Sequence, residues 1–523
     1  MSNTMKKIYF SSFMLLALIL GSCKKDFLTE LAVNPNKPSQ ATPELVLPGT
    51  LTNSAAILNG NGSYQLVGAW MGYYNYGGGF SFNSTAADYL LTTSSPQVWD
   101  PWFGVLTNVD YVEKNSTDPS KSNFLAVAKI MKAFAYQHLV DVYDKVPYTE
   151  AFKGVGNFFP KYDEGSAIYD SLVININTAL DLINSGSASA QNLGASDVMF
   201  GGDMGLWAKF GNTVKLRLLV RQSQVAAKQD YIKAEAAKTA SVGYLGLGED
   251  ALVNPGYSNT EGKQNPFFGY FVTTTNTLAS YSFIRASGTA MDFYKGTNDT
   301  RLGYFYGTKG ADPTNKNVGV VNGADTVKDF YNVNIIDPSN YDADPFGIQK
   351  IQTSAGSGIG PGLIKSVSQG APLITATESF FLQSEAAARG YITGDAQMLY
   401  QNGITASYEY LGVQNADEAA QEYYSQEDIE DVSWPATLTE QIKTIVTQKW
   451  AALNGINLVE SWNDYRRTGS PDVPISVDPA NTETHLPYRF YYPIGEVQKN
   501  TANYKAAGGD QIDPFVNKVF WMP

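Results

Sequence analysis

The stretch GAWMGYYNYGGGFSFN (68–83) sets Trp70, Tyr73, Tyr74, Tyr76 and Asn83 around three consecutive glycines. Trp and Tyr rings stack on apolar C–H faces, while phenol, amide and guanidinium groups hydrogen-bond a polar rim. A pyranose has both. Glycine admits backbone conformations closed to other residues, so the segment can follow a ligand closely. NPFFGYF (265–271) adds Phe268 and Tyr270, and YSFIRAS (281–287) adds Phe283 and Arg285. The competing reading is that these rings pack beneath their own loops.

Catalytic chemistry finds less support. A glycoside hydrolase needs two carboxylates roughly 5–9.5 Å apart; the chain has 50 acidic residues, and no motif singles out a pair. There are only two histidines and no HExxH, which argues against zinc hydrolysis. His138 falls within an amphipathic helix and reads as packed, and His485 has no obvious partner. AGSGIGPGLIK (355–365) lacks the spacing of a phosphate or dinucleotide loop. DPSNYDADPFG (337–347) carries Asp337, Asp342 and Asp344, which reads as an exposed acidic turn or a Ca²⁺ loop that is not an EF-hand. No cofactor or resident metal is expected. Arg466 and Arg467 beside Asp464 read as ties between helices and acidic partners, with an anion clamp as the alternative.

The one cysteine points elsewhere. Lys6 and Lys7 precede an apolar run from Ile8 to Leu20, 13 residues long. A spanning helix needs about 20 apolar residues, so the run has the layout of a secretory signal. Leu20-Gly21-Ser22-Cys23 resembles a bacterial lipobox, in which the cysteine thiol is alkylated by a lipid that carries acyl chains such as palmitate, and the cysteine becomes the new N-terminus. This reading makes 1–22 a signal peptide, Cys23 the lipid attachment, 23–48 a Pro-punctuated tether and 49–523 a single domain. Several acyl chains anchor durably where one holds only marginally. The net charge of −13 opposes nucleic acid, and no Lys/Arg run offsets it.

The elements that must position these groups read as helices. Apolar residues recur at three- and four-residue steps in 123–148, 162–186, 205–226, 375–391, 396–412, 438–456 and 457–469. Asp163 is expected to cap the second of these and Pro147 to stop the first. Gly390 and Gly394 break a hairpin of two arms about 15 residues long, the pattern of tetratricopeptide-like units. Between the helical blocks, 59–115 and 242–372 are rich in Gly, Asn, Ser, Thr and rings. Loops of that length in a compact protein are usually functional or disordered, and these are too rich in rings for disorder. The fold expected is mostly α, a helical-pair scaffold with long irregular insertions and minor β-hairpins.

Several longer motifs carry a resemblance. NPNKPSQATPELVLPG (34–49), MKAFAYQHLVDVYDKVPYTEAF (131–152), WAKFGNTVKLRLLVR (207–221), MDFYKGTNDTRLGYFY (291–306), ESFFLQSEAAARG (378–390), QKWAALNGINLVESWNDYRRTG (448–469) and YRFYYPIGEVQKNTANY (488–504) stand in the order of the SusD/RagB-like surface lipoproteins of Bacteroidetes. Thr300 after Asp299 is a minor departure, since the family often has proline there. The resemblance implies a non-enzymatic, outer-membrane nutrient-binding lipoprotein. It would capture an oligosaccharide, or a peptide in some relatives, for a SusC-like TonB-dependent transporter.

Overall fold

The computed structural model describes residues 41–76, 85, 88–271, 274, 284–306, 362, 363, 365–476 and 481–523. Its first half contains α1 (Pro43–Gly60), α2 (Gly62–Trp70), β1 (Tyr74–Tyr76), α3 (Trp99–Lys114), α4 (Ser122–Tyr143), α5 (Gly165–Ser185), α6 (Met204–Arg221) and α7 (Gln229–Lys238). Then come β2 (Ala251–Val253), α8 (Pro266–Phe271), β3 (Ile284–Ala286), α9 (Gly288–Gly296), α10 (Leu302–Phe305) and β4 (Ala371–Ile374). The last block is α11 (Ala376–Ala388), α12 (Ala396–Leu411), α13 (Ala416–Tyr424), α14 (Leu438–Leu453), α15 (Leu458–Thr468), α16 (Ile494–Lys499) and α17 (Thr501–Ala506). All seven helices expected from periodicity are present. The folded body starts earlier than position 49: α1 begins at Pro43, and Pro43 and Leu47 are already buried.

Local chemistry sets the helix ends. The first N–H groups of a helix lack partners, and a side-chain oxygen at the N-cap contributes about 1 kcal/mol by accepting from one. Asp203 accepts from the N–H groups of Gly205 and Leu206 at 2.8 and 3.1 Å, and Asp395 from Met398 at 3.0 Å. Helix α5 departs from expectation. Asp163 instead accepts from the N–H groups of Tyr148 and Thr149, at 2.9 Å each, and ties the incoming turn. The helix starts two residues later, at Gly165. Pro147 does not stop α4; the chain turns off at Asp144, with φ +65°, where its carboxylate accepts the Phe520 N–H at 2.9 Å.

Helix α4 packs against α3, α5 and α6, and α11 against α12 and α14. Helix α6 meets α11 and joins the two blocks. The joint is ionic. Arg217 of α6 lies 2.7 Å from Glu378 of α11, Lys449 of α14 lies 2.9 Å from Asp464 of α15, and Arg467 of α15 meets Glu385 of α11 at 2.7 Å and Asp464 at 2.8 Å. Arg221 pairs with Glu460 and lies 3.5 Å from Asp141. Asp141, Glu378, Glu385, Glu460 and Asp464 face Arg217, Arg221, Lys449, Arg466 and Arg467, all buried. Desolvating a charge is expensive, so a cluster like this persists only when the charges balance and are well placed. Arg467 thus ties helices, as the sequence suggested. Arg466 spreads over Trp462, 3.5 Å from the ring centroid, and donates to the Tyr488 carbonyl at 2.5 Å.

The strands pair across the chain rather than as local hairpins. β1 runs antiparallel to β3, with Asn75 opposite Arg285 and Tyr76 opposite Ile284; β2 pairs likewise with β4.

Candidate functional site

The structure separates the nominated residues into two groups. Trp70, Tyr73, Tyr74 and Phe268 are at most 1% exposed, which corrects their placement on a ligand surface. Trp70 presents its ring to Tyr89, Trp462 and Phe490 at 5.8–6.1 Å. Tyr73 stacks on Trp450 at 5.4 Å, and its hydroxyl donates to the Trp450 carbonyl at 2.7 Å. The Tyr74 hydroxyl lies 2.7 Å from the Gln65 carbonyl. A Cβ on Gly68 would lie 2.7 Å from Tyr74 Cζ, so this glycine serves ring packing. Burial raises the Tyr73 phenol well above its ordinary range and keeps it a neutral donor. These rings are a pedestal.

Tyr76 continues the strand that begins at the buried Tyr74. Tyr76 and Arg285 sit in paired strands, on opposite chains of the β1–β3 ladder. Tyr270 is half-buried at the end of α8. Asn83 and Phe283 lie outside the described residues, as do Asp337, Asp342, Asp344 and 355–361. The β1–β3 pairing thus sets Tyr76, the residue before 77–84, opposite Ile284, the residue after 275–283. The described ends of a third segment lie close by. The Tyr306 hydroxyl donates to the Tyr73 carbonyl immediately before 307–361, and the Gly362 N–H after it donates to the Tyr304 carbonyl at 2.7 Å. Below, α14 supplies the base: Tyr294 donates to the Ala451 carbonyl at 2.7 Å, and Asn454 donates to Tyr306 at 2.8 Å.

A cleft of about 530 Å³ opens elsewhere, lined among others by Ile429, Glu430, Asp431, Trp434, Pro435 and Lys443. Lys443 pairs with Glu430 at 2.8 Å and Asp431 at 3.4 Å, and Trp434 leans on Tyr400 at 5.3 Å. Burial raises the Asp431 carboxyl despite Lys443. A half-buried indole beside carboxylates and an ammonium offers both an apolar face and a polar rim. Sequence reading missed it, although Trp434-Pro435 after an acidic run was a visible signal. Among the described residues no cluster of three His, Cys, Asp or Glu is placed to hold a metal. His138 is buried and stacked on Trp102 at 4.8 Å, and burial holds its imidazole down at about 3.

Comparison with known proteins gives these features a context. Residues 35–493 match the family model SusD-like, "Starch-binding associating with outer membrane". Among solved structures, a chitin-binding protein is 25% identical, with a TM-score of 0.71, covering 91% of this chain and 100% of its own. A SusD homologue of Bacteroides fragilis NCTC 9343 is 20% identical, with a TM-score of 0.70, covering 92% of this chain and 99% of its own. A chitin-binding SusD homologue from Flavobacterium johnsoniae is 22% identical, with a TM-score of 0.68, covering 91% and 98%. The comparison with curated proteins finds no match. No helix among the described residues is long and apolar enough to cross a membrane. The family-model match across most of its length, with a mostly helical body that agrees, shows that the chain belongs to the SusD-like family.

Proposed function

We propose that this chain is a lipid-anchored, nutrient-binding protein of the outer membrane that holds an oligosaccharide without cleaving it. It passes the ligand to a SusC-like TonB-dependent transporter. Residues 1–22 serve as the export signal, Cys23 carries the lipid, and the rest acts as one domain that includes α1 from Pro43. The observation that carries the reading is the convergence at β1 and β3: the two paired strands and the described ends of three insertions meet on a buried base. The family description and the two chitin-binding structures support a glycan as ligand. Tyr76, Tyr270, Phe283, Arg285 and Asn83 are its proposed contacts.

Titration calorimetry against chito-oligosaccharides, malto-oligosaccharides and short peptides tests this. A glycan should bind, and Tyr76→Ala with Arg285→Ala should weaken it about tenfold or more, the scale of a lost stacking or charged hydrogen-bond contact. Binding of peptides alone would replace the ligand class. New reducing ends from a polysaccharide would overturn the non-enzymatic reading. If Trp434→Ala weakens binding and the β1–β3 variants do not, the cleft is the binding site.

A further inference from the structure

The loop between α4 and α5 holds three apolar side chains in water. Val155 is 90% exposed, Phe158 69% and Phe159 60%. Clustered exposed apolar residues of this kind mark a contact surface. The loop is nevertheless braced. Glu150 accepts from Asn157 Nδ2 at 2.9 Å and from the Lys161 N–H at 3.0 Å, while Asn503 and Asn500 donate to the carbonyls of Phe159 and Pro160 at 2.8 and 2.9 Å. With its backbone fixed, the loop presents the two phenyls outward.

Charge and place identify the partner. Lys153 and Lys161 flank the phenyls, in a chain whose net charge is −13; the carboxylate beside them, Glu150, is engaged by Asn157 and the Lys161 N–H. Both lysines are exposed. The loop also lies beside the root of the N-terminal segment. Lys114 at the end of α3 donates to the Phe152 carbonyl at 3.0 Å, and Tyr111, one turn earlier on the same face, donates to the Ala41 carbonyl at 2.5 Å. Nineteen residues separate Cys23 from Pro43, and even fully extended they reach no farther than about 65 Å. We infer that the 153–161 loop is a second membrane contact, inserting Val155, Phe158 and Phe159 into an anionic lipid surface with Lys153 and Lys161 at the headgroups. Three side chains fall well short of the roughly 1,000 Å² a stable protein interface buries. They suffice for a lipid surface when an anchor holds the loop close, because weak insertion then becomes intramolecular.

The inference rests on the proposed acylation of Cys23. Because Cys23 is the only cysteine, Phe158→Cys in the mature chain lipidated at Cys23 offers a single free thiol for an environment-sensitive dye. Met398→Cys on α12, 53% exposed, is the comparison site. On phosphatidylcholine–phosphatidylglycerol vesicles, dye at 158 should shift to the blue and be quenched by bromolipid several-fold more than dye at 398. Lys153→Gln with Lys161→Gln should lower the inserted fraction on the order of tenfold on these vesicles and leave it unchanged on neutral ones. A chain that floats with vesicles while position 158 stays as wet as 398 overturns the loop contact alone. A blue shift that needs added transporter protein also overturns it. A chain that does not float refutes the anchor and the loop contact with it.

Discussion

Two ring-rich regions, 68–76 and 151–161, meet opposite fates. In the first, Trp70, Tyr73 and Tyr74 are sealed under α14 and α15; in the second, Phe158 and Phe159 stand in water. Neither content nor glycine spacing separates them, since both stretches carry glycines among rings. What differs is the facing surface. Tyr73 finds the Trp450 ring and its carbonyl, from a helix nearly four hundred residues away, whereas the backbone of 157–160 is bonded to side chains that leave its phenyls uncovered. The charges divide likewise: Glu460 lies in the buried cluster at the joint between blocks, Glu430 and Lys443 at an open cleft.

The largest expected break in that contrast is Glu460→Gln. It leaves Arg221 and Arg217 under-compensated inside the body and should cost about 3–5 kcal/mol in urea unfolding, while Lys443→Ala costs under about 1 kcal/mol. His138 sharpens the contrast through pH. Its folded-state value near 3 lies below the ordinary 6.5, so the unfolded chain takes up the proton first. Stability from this group is present above about 6.5 and is lost as pH falls toward 3. Between pH 6.5 and 5 the loss is about 1.6 kcal/mol, since the slope reaches its full value of about 1.4 kcal/mol per unit only below the unfolded value. Glu385, held at about 2, adds its own loss below about 4.5, while Asp141 and Glu378, pushed up by burial, act in the opposite sense. The measurement is therefore a difference: His138→Gln should flatten thermal stability between pH 6.5 and 5 relative to the parent chain. Smaller still, Tyr73→Phe should cost about 1–2 kcal/mol for the buried hydrogen bonds lost to the Trp450 carbonyl and Ser461. Phe158→Ser should stay within about 0.5 kcal/mol, as for an exposed position. Equal losses at 73 and 158 would erase the distinction.

The helices were legible because each writes its buried stripe into a short window: Phe124, Val127, Met131 and Phe134 announce α4 without reference to anything else. The fate of the rings was not legible, because burial of Tyr73 depends on Trp450 and Ser461, which no local window contains. Nothing local marks Arg217, Arg221 and Glu460 as buried partners, for the same reason. The β1–β3 meeting was hidden too; three-residue strands carry almost no periodic signal, and each partner lies some two hundred positions from the other.

That meeting governs when the β1–β3 base can form. It needs Tyr74–Tyr76, Ile284–Ala286 and the tail of α14 at once, so a chain that folds from its first residue onward cannot assemble it until its last fifth begins to arrive. On the function proposed above, competence to hold a ligand becomes a test of completeness, which a copy cut before α14 fails.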